Sequence, residues 1–155
     1  LYRPVRWIET VRRLEAQGSA ALDALLQDPA HAAASLVPRI EVLLGAVTAH
    51  YLARRNLIRA FVAARFNAQL ALHAEDVAAA RLRMQAMRDW LLVRRREIAH
   101  PEPEVAVRAG LYLVLQSLQT ALLFEDLPAE LPASRLAREA GGMLAAYLRT
   151  PPPWR

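Results

Sequence analysis

A chain of 155 residues is the size of one domain and can bury about 70% of its unfolded surface. With 55% hydrophobic residues it has the apolar content of a packed protein and not of a disordered one. The net charge is +5, all twenty basic residues are arginine, and the absence of cysteine excludes a disulfide framework, a thiolate metal site and a cysteine nucleophile.

The start, LYRPVRWIETVRR, lacks the apolar stretch and small-residue cleavage site of a signal peptide. Runs of β-branched residues with period-two alternation are absent as well. The expected class is all-α: one domain over residues 1–150, of about six helices, with a proline-rich tail at 151–155. A reducing, cytoplasmic setting fits the missing cysteines.

In chain order, Pro4 can open a first helix whose stripe is Val5, Ile8, Val11, Leu14, Leu22, Leu25 and Leu26, ending at Asp28-Pro29. An alanine-rich connector, 31–35, leads to Ser35 as N-cap with Pro38 in the following turn. Leu36, Ile40, Leu43, Leu44, Val47 and Tyr51 give the second helix its apolar face. Arg54-Arg55-Asn56 breaks the pattern, and Leu57, Ile58, Phe61, Val62 and Phe66 mark a short helix. Residues 67–74 fit no single template.

A long helix is expected from about Glu75 to Ile98, with Val77, Ala80, Met84, Met87, Leu91 and Ile98 at steps of three and four and Arg94 as the exception. His100-Pro101-Glu102-Pro103-Glu104 must turn, because each proline disfavours the α region before it. Pro103 then opens VAVRAGLYLVLQSLQTALLF, residues 105–124, whose only charge is Arg108. A helix apolar nearly all round is buried in a core or a membrane. Gln116, Ser117, Gln119 and Thr120 interrupt this one, so it is read as a soluble core helix shared between the chain and a second copy of it. No membrane role is expected. After a loop at 126–132, Leu136, Ala140, Met143, Leu144 and Tyr147 line a last helix, 133–149. Gly141-Gly142 within it suggests close approach of another helix.

Chemistry-bearing patterns are sparse. His31, His50, His73 and His100 stand apart, with no paired metal ligands, and His73 beside Glu75 and Asp76 fits a solvated helix start. No phosphate-binding glycine loop or nucleophile elbow appears, so neither enzyme, cofactor nor metal is expected. Arg12-Arg13, Arg54-Arg55 and Arg94-Arg95-Arg96 sit between stripe positions as solvated faces do, and no DNA-reading motif is present. Trp7, Tyr51, Phe61, Phe66, Met84, Met87, Trp90 and Tyr112 come from five different helices. They either pack or converge on an apolar pocket, with Gln116, Gln119, His50 and Asn67 as polar groups.

The order ARRNLIRAFV (53–62), RRREIAHPEPEVAVRAGLYLVLQSL (94–118), ALLFED and a final alanine-rich helix resembles the C-terminal regulatory domain of TetR/AcrR-type transcriptional repressors of bacteria. The HPEPE turn is the most specific part. The resemblance implies a homodimer through a four-helix bundle of the last two helices, here 104–125 and 132–149. Leu115, Leu118, Leu122, Ala137, Gly141, Met143 and Leu144 would form that interface. It also implies a small-molecule effector site, for which Tyr51, Phe61, Met84, Met87, Trp90, Tyr112 and Gln116 are the candidate lining. DNA binding would belong to an N-terminal helix-turn-helix head that this sequence does not contain, with helix 4–27 as the lever between head and site. Two other readings stay open: a dimeric helical adaptor with a filled core, and an all-α enzyme.

Overall fold

The computed structural model describes residues 9, 10, 13, 19–66 and 74–154. The stripe residues Val5, Ile8, Val11 and Leu14, with Trp7, Asn67 and His73, lie outside them. So do the side chains of Phe61 and Phe66.

Six helices and no strand occur among the described residues. Residues 19–27 form α1, followed by α2 (Leu36–Ala53), α3 (Arg55–Phe66), α4 (Ala74–Leu92), α5 (Pro103–Phe124) and α6 (Ala133–Arg149). Short 3-10 turns occupy Pro29–His31 and Arg95–Glu97. The expected all-α bundle is therefore what forms.

The centre is shared by two helices. α2 packs against α3, α4, α5 and α6, and α5 also touches all four of its neighbours α2, α3, α4 and α6. Their apolar faces meet in one cluster that includes Leu36, Ile40, Leu43, Leu44, Leu91, Leu111, Leu118, Leu122, Leu144 and Leu148. Each such leucine contributes about 1.5–3 kcal/mol on burial. α5 and α6 are joined by a short loop into an antiparallel hairpin. Where they cross, Gly110 admits the side chains of Leu144 and Tyr147: a Cβ there would stand 2.5 Å from Leu144 Cδ1.

Two local expectations are corrected and a third is met. Ser35 occupies the N-cap of α2, but its side chain makes no capping bond. The Leu36 N–H instead donates to the Glu97 carboxylate, at 3.2 and 3.3 Å, from a residue 61 positions away. The long helix stops at Leu92, short of Ile98, because the chain bends there to bring Arg94 against the α1–α2 connector. The close approach of a helix expected at Gly141-Gly142 is made at Gly141 by α2: a Cβ there would meet Leu44 at 3.6 Å and Ile40 at 3.8 Å, while at Gly142 it would meet nothing within 4 Å.

Candidate functional site

Two faces stand out. The first is the outer side of the α5–α6 hairpin. The inner side of α5 carries Ala106, Val107, Gly110, Leu111, Leu115, Leu118 and Leu122, all buried. The opposite side, with Val105, Tyr112, Leu113, Gln116, Thr120 and Phe124, is exposed. So α5 is not buried all round. Tyr112 is 59% exposed and Leu113 63%, yet from Ala109 to Phe124 no charge interrupts this surface.

On α6, Leu136, Ala140, Met143 and Tyr147 recur every three or four residues, but Leu136 and Ala140 are half-buried against the core and Tyr147 packs at Gly110 on the inner side of α5. Met143, one turn before Tyr147, is 71% exposed. The uncharged apolar surface is therefore that of α5 from Ala109 on; on α6 the strongly exposed apolar side chain is Met143, and Arg135, Arg138, Glu139 and Arg149 are exposed there too. α5 alone, at 22 residues, is about 33 Å long.

Of the residues expected at a dimer interface, Met143 is exposed and Ala137 is half-buried. Leu115, Leu118, Leu122, Gly141 and Leu144 are buried within the chain's own core. The large apolar side chains that face outward on the two helices include instead Tyr112, Leu113, Met143 and Tyr147. Sequence reading missed this because a helix apolar all round carries no phase to say which side faces in.

The second face is the inner side of α4. Met87 and Trp90 are buried, and Met84 is half-buried against the same cluster, as is Tyr51 from α2. Tyr112 and Gln116 point outward on α5, so the structure does not bring them to the other candidate effector residues. Phe61 belongs to α3, with its side chain outside the described residues.

Trp90 is held by a buried arginine that sequence reading did not single out. Arg39, on the first turn of α2, is 3% exposed, and its guanidinium carbon lies 4.4 Å from the Trp90 ring centroid. Arg39 donates from Nη1 to the Trp90 carbonyl at 3.0 Å, from Nε to the Ala34 carbonyl at 2.9 Å and from Nη2 to the Ala32 carbonyl at 3.0 Å. Arg94 donates to the same two connector carbonyls, at 2.8 and 3.1 Å. His31 meets the Trp90 ring edge-on at 5.8 Å. Burial, and then the nearby Arg94 charge, lowers the pKa of Arg39, while Glu97 opposes the shift. The fork geometry of arginine is what lets one side chain serve three carbonyls.

A cleft of about 430 Å³ opens at the α2–α3 corner, lined by Leu52, Ala53, Arg54, Arg55, Asn56 and Leu57. None of the seven candidate effector residues lines it. Arg55 there is held to the α5–α6 loop, donating to the Glu125 carbonyl at 3.0 Å. Among the described residues no group of three or more His, Asp or Glu is placed to hold a metal.

Helices α2 and α5 are long and apolar enough to cross a membrane, with mean hydropathy 1.2 and 1.3, as the core helix of a soluble protein can be. Here each gives one side to the protein's own core. Compared with protein-family models, with curated proteins and with solved structures, the chain matches none.

Proposed function

We propose that this chain is the effector-sensing and dimerisation domain of a TetR-like transcriptional regulator, and that its partner at the outer α5–α6 face is a second copy of itself. One observation carries the reading: an exposed face of α5 on which no charge occurs from Ala109 to Phe124, in a protein where 23% of residues are charged. Exposed apolar strips of this extent mark interaction sites. A two-fold axis through the strip makes the surface self-complementary and yields a four-helix bundle. Effector binding would act on a DNA-reading head by favouring one dimer geometry over another.

Sedimentation equilibrium tests the reading. The wild-type chain is expected to run as a dimer, and Leu113→Glu with Met143→Glu as a folded monomer with unchanged helical circular dichroism. A wild-type monomer at micromolar concentration would remove the proposed interface.

A second reading, a dimeric adaptor with no small-molecule role, is favoured by the placing of Met87 and Trp90 in the core and of Tyr112 and Gln116 outside it. Ligand titration separates the two.

A further inference from the structure

Arg83, Met87 and Trp90 stand at i, i+4 and i+7 on α4, on one face of that helix. Two of the three carry a buried donor with nothing to donate to. The Arg83 Nε and the Trp90 Nε1 are both enclosed and have no hydrogen-bond partner. Arg83 makes no ion pair with any described residue. Buried donors are almost always satisfied, and an unsatisfied one needs a cause.

The surroundings of this stripe are cationic. Arg39 covers the Trp90 ring, Arg94 lies two residues past the end of α4, and His31 edges the ring. On the acidic side, Glu97 is engaged by the Leu36 N–H and Asp28 by the Ala30 N–H. Between the two donors runs an apolar stretch of Met84 and Met87, the side chains best able to repack around a guest. Arg83 and Met84 are half-buried, whereas Met87 and Trp90 lie in the core. The donors are seven residues apart, about 10 Å along the axis.

We infer that the inner face of α4 binds a small amphipathic carboxylate, its acid group paired with Arg83, its apolar body along Met84 and Met87, and an acceptor atom reaching Trp90 Nε1. This deepens the sensing reading and rests on it. A neutral apolar effector would leave both donors unsatisfied, whereas an arginine meets a carboxylate in its preferred geometry.

The probes are octanoate and octanol, which share an eight-carbon chain and differ in the head group, titrated calorimetrically into the full chain. Dimer state is followed by sedimentation in the same samples. Octanoate is expected to bind at least ten-fold more tightly than octanol. Arg83→Met should remove that preference, Arg83→Lys should keep part of it, and Arg81→Met, on the exposed side of α4, should leave it intact. Arg83→Gln serves as a second neutral variant if Arg83→Met fails to fold.

If the two probes bind equally, or neutralising Arg83 leaves the preference unchanged, the carboxylate assignment is overturned while sensing stands. If neither probe binds a chain that is dimeric, the assignment and the sensing role fall together, leaving the adaptor.

Discussion

Arg39 and Trp90 are bound to each other twice: the guanidinium lies over the indole at 4.4 Å, and its Nη1 donates to the carbonyl of the same residue at 3.0 Å. The pair joins α2 to α4 and closes one side of the stripe on which Arg83 stands. A buried cation satisfied by carbonyls and an aromatic face, with no carboxylate bonded to it, is costly to assemble and more costly to break.

Removing it should be felt globally. Arg39→Leu is expected to cost about 2–4 kcal/mol, since it strands the Trp90 carbonyl and loosens the connector. Arg39→Lys should fall between, because an ammonium cannot serve three carbonyls through one fork. Urea denaturation of the two variants checks the order. The lowered pKa has a definite sign: the folded state holds this proton less tightly than the unfolded one. Its linkage adds stability with rising pH only in the alkaline range where arginine titrates, so neutral-range pH curves of wild type and Arg39→Leu should run parallel.

The glycines divide into two kinds. At Gly110 an added methyl would meet Leu144 at 2.5 Å and Tyr147 at 3.2 Å, so Gly110→Ala should destabilise by about 1–3 kcal/mol despite the better helix propensity. Gly45 and Gly142 have nothing within 4 Å of the same methyl. Replacing either with alanine should stabilise by about 0.5–1 kcal/mol. Thermal melts of the three variants should move in opposite directions.

Leu118 separates core from interface. It is 1% exposed within the single chain. Leu118→Ala should therefore lower chain stability by about 2–5 kcal/mol, as large-to-small core changes do. Leu113→Ala should instead weaken self-association and leave the unfolding midpoint of the monomer within about 0.5 kcal/mol. Chemical denaturation at two protein concentrations distinguishes the effects.

The cap supplied from a distance is also testable. Glu97→Ala should cost about 0.5–2 kcal/mol, the usual range for losing a helix N-cap, whereas Ser35→Ala should cost far less because its side chain caps nothing. Hydrogen exchange at the first turn of α2 should report the first change and not the second.

The helix order was readable because proline and arginine interrupt the apolar stripes at most of the real boundaries: Asp28-Pro29, Arg54, and the turn from His100 to Pro103. The end of α4 was not. Arg94 looked like a flaw in a stripe, and only the carbonyls of Ala32 and Ala34, sixty residues earlier, explain why the helix gives way there. The facing of α5 was hidden for a different reason. With apolar residues on every side, Tyr112 and Leu115 look alike in sequence, and the packing of α2 and α6 decides which turns outward. Arg83 and Arg39 were hidden by their charge, which in sequence reads as a solvated surface.

The bond from Leu36 to Glu97 has a consequence for synthesis. As the chain leaves the ribosome, α2 emerges well before the carboxylate that secures its first turn, and α3 and α4 must be made in between. Until residue 97 arrives, the start of α2 is open, and the arginine clamp lacks Arg94 as well. Nascent chains halted at residue 92 should remain protease-sensitive near residues 32–36, and those extended past Glu97 should become resistant there. The order of translation thus sets when the centre of this protein can close.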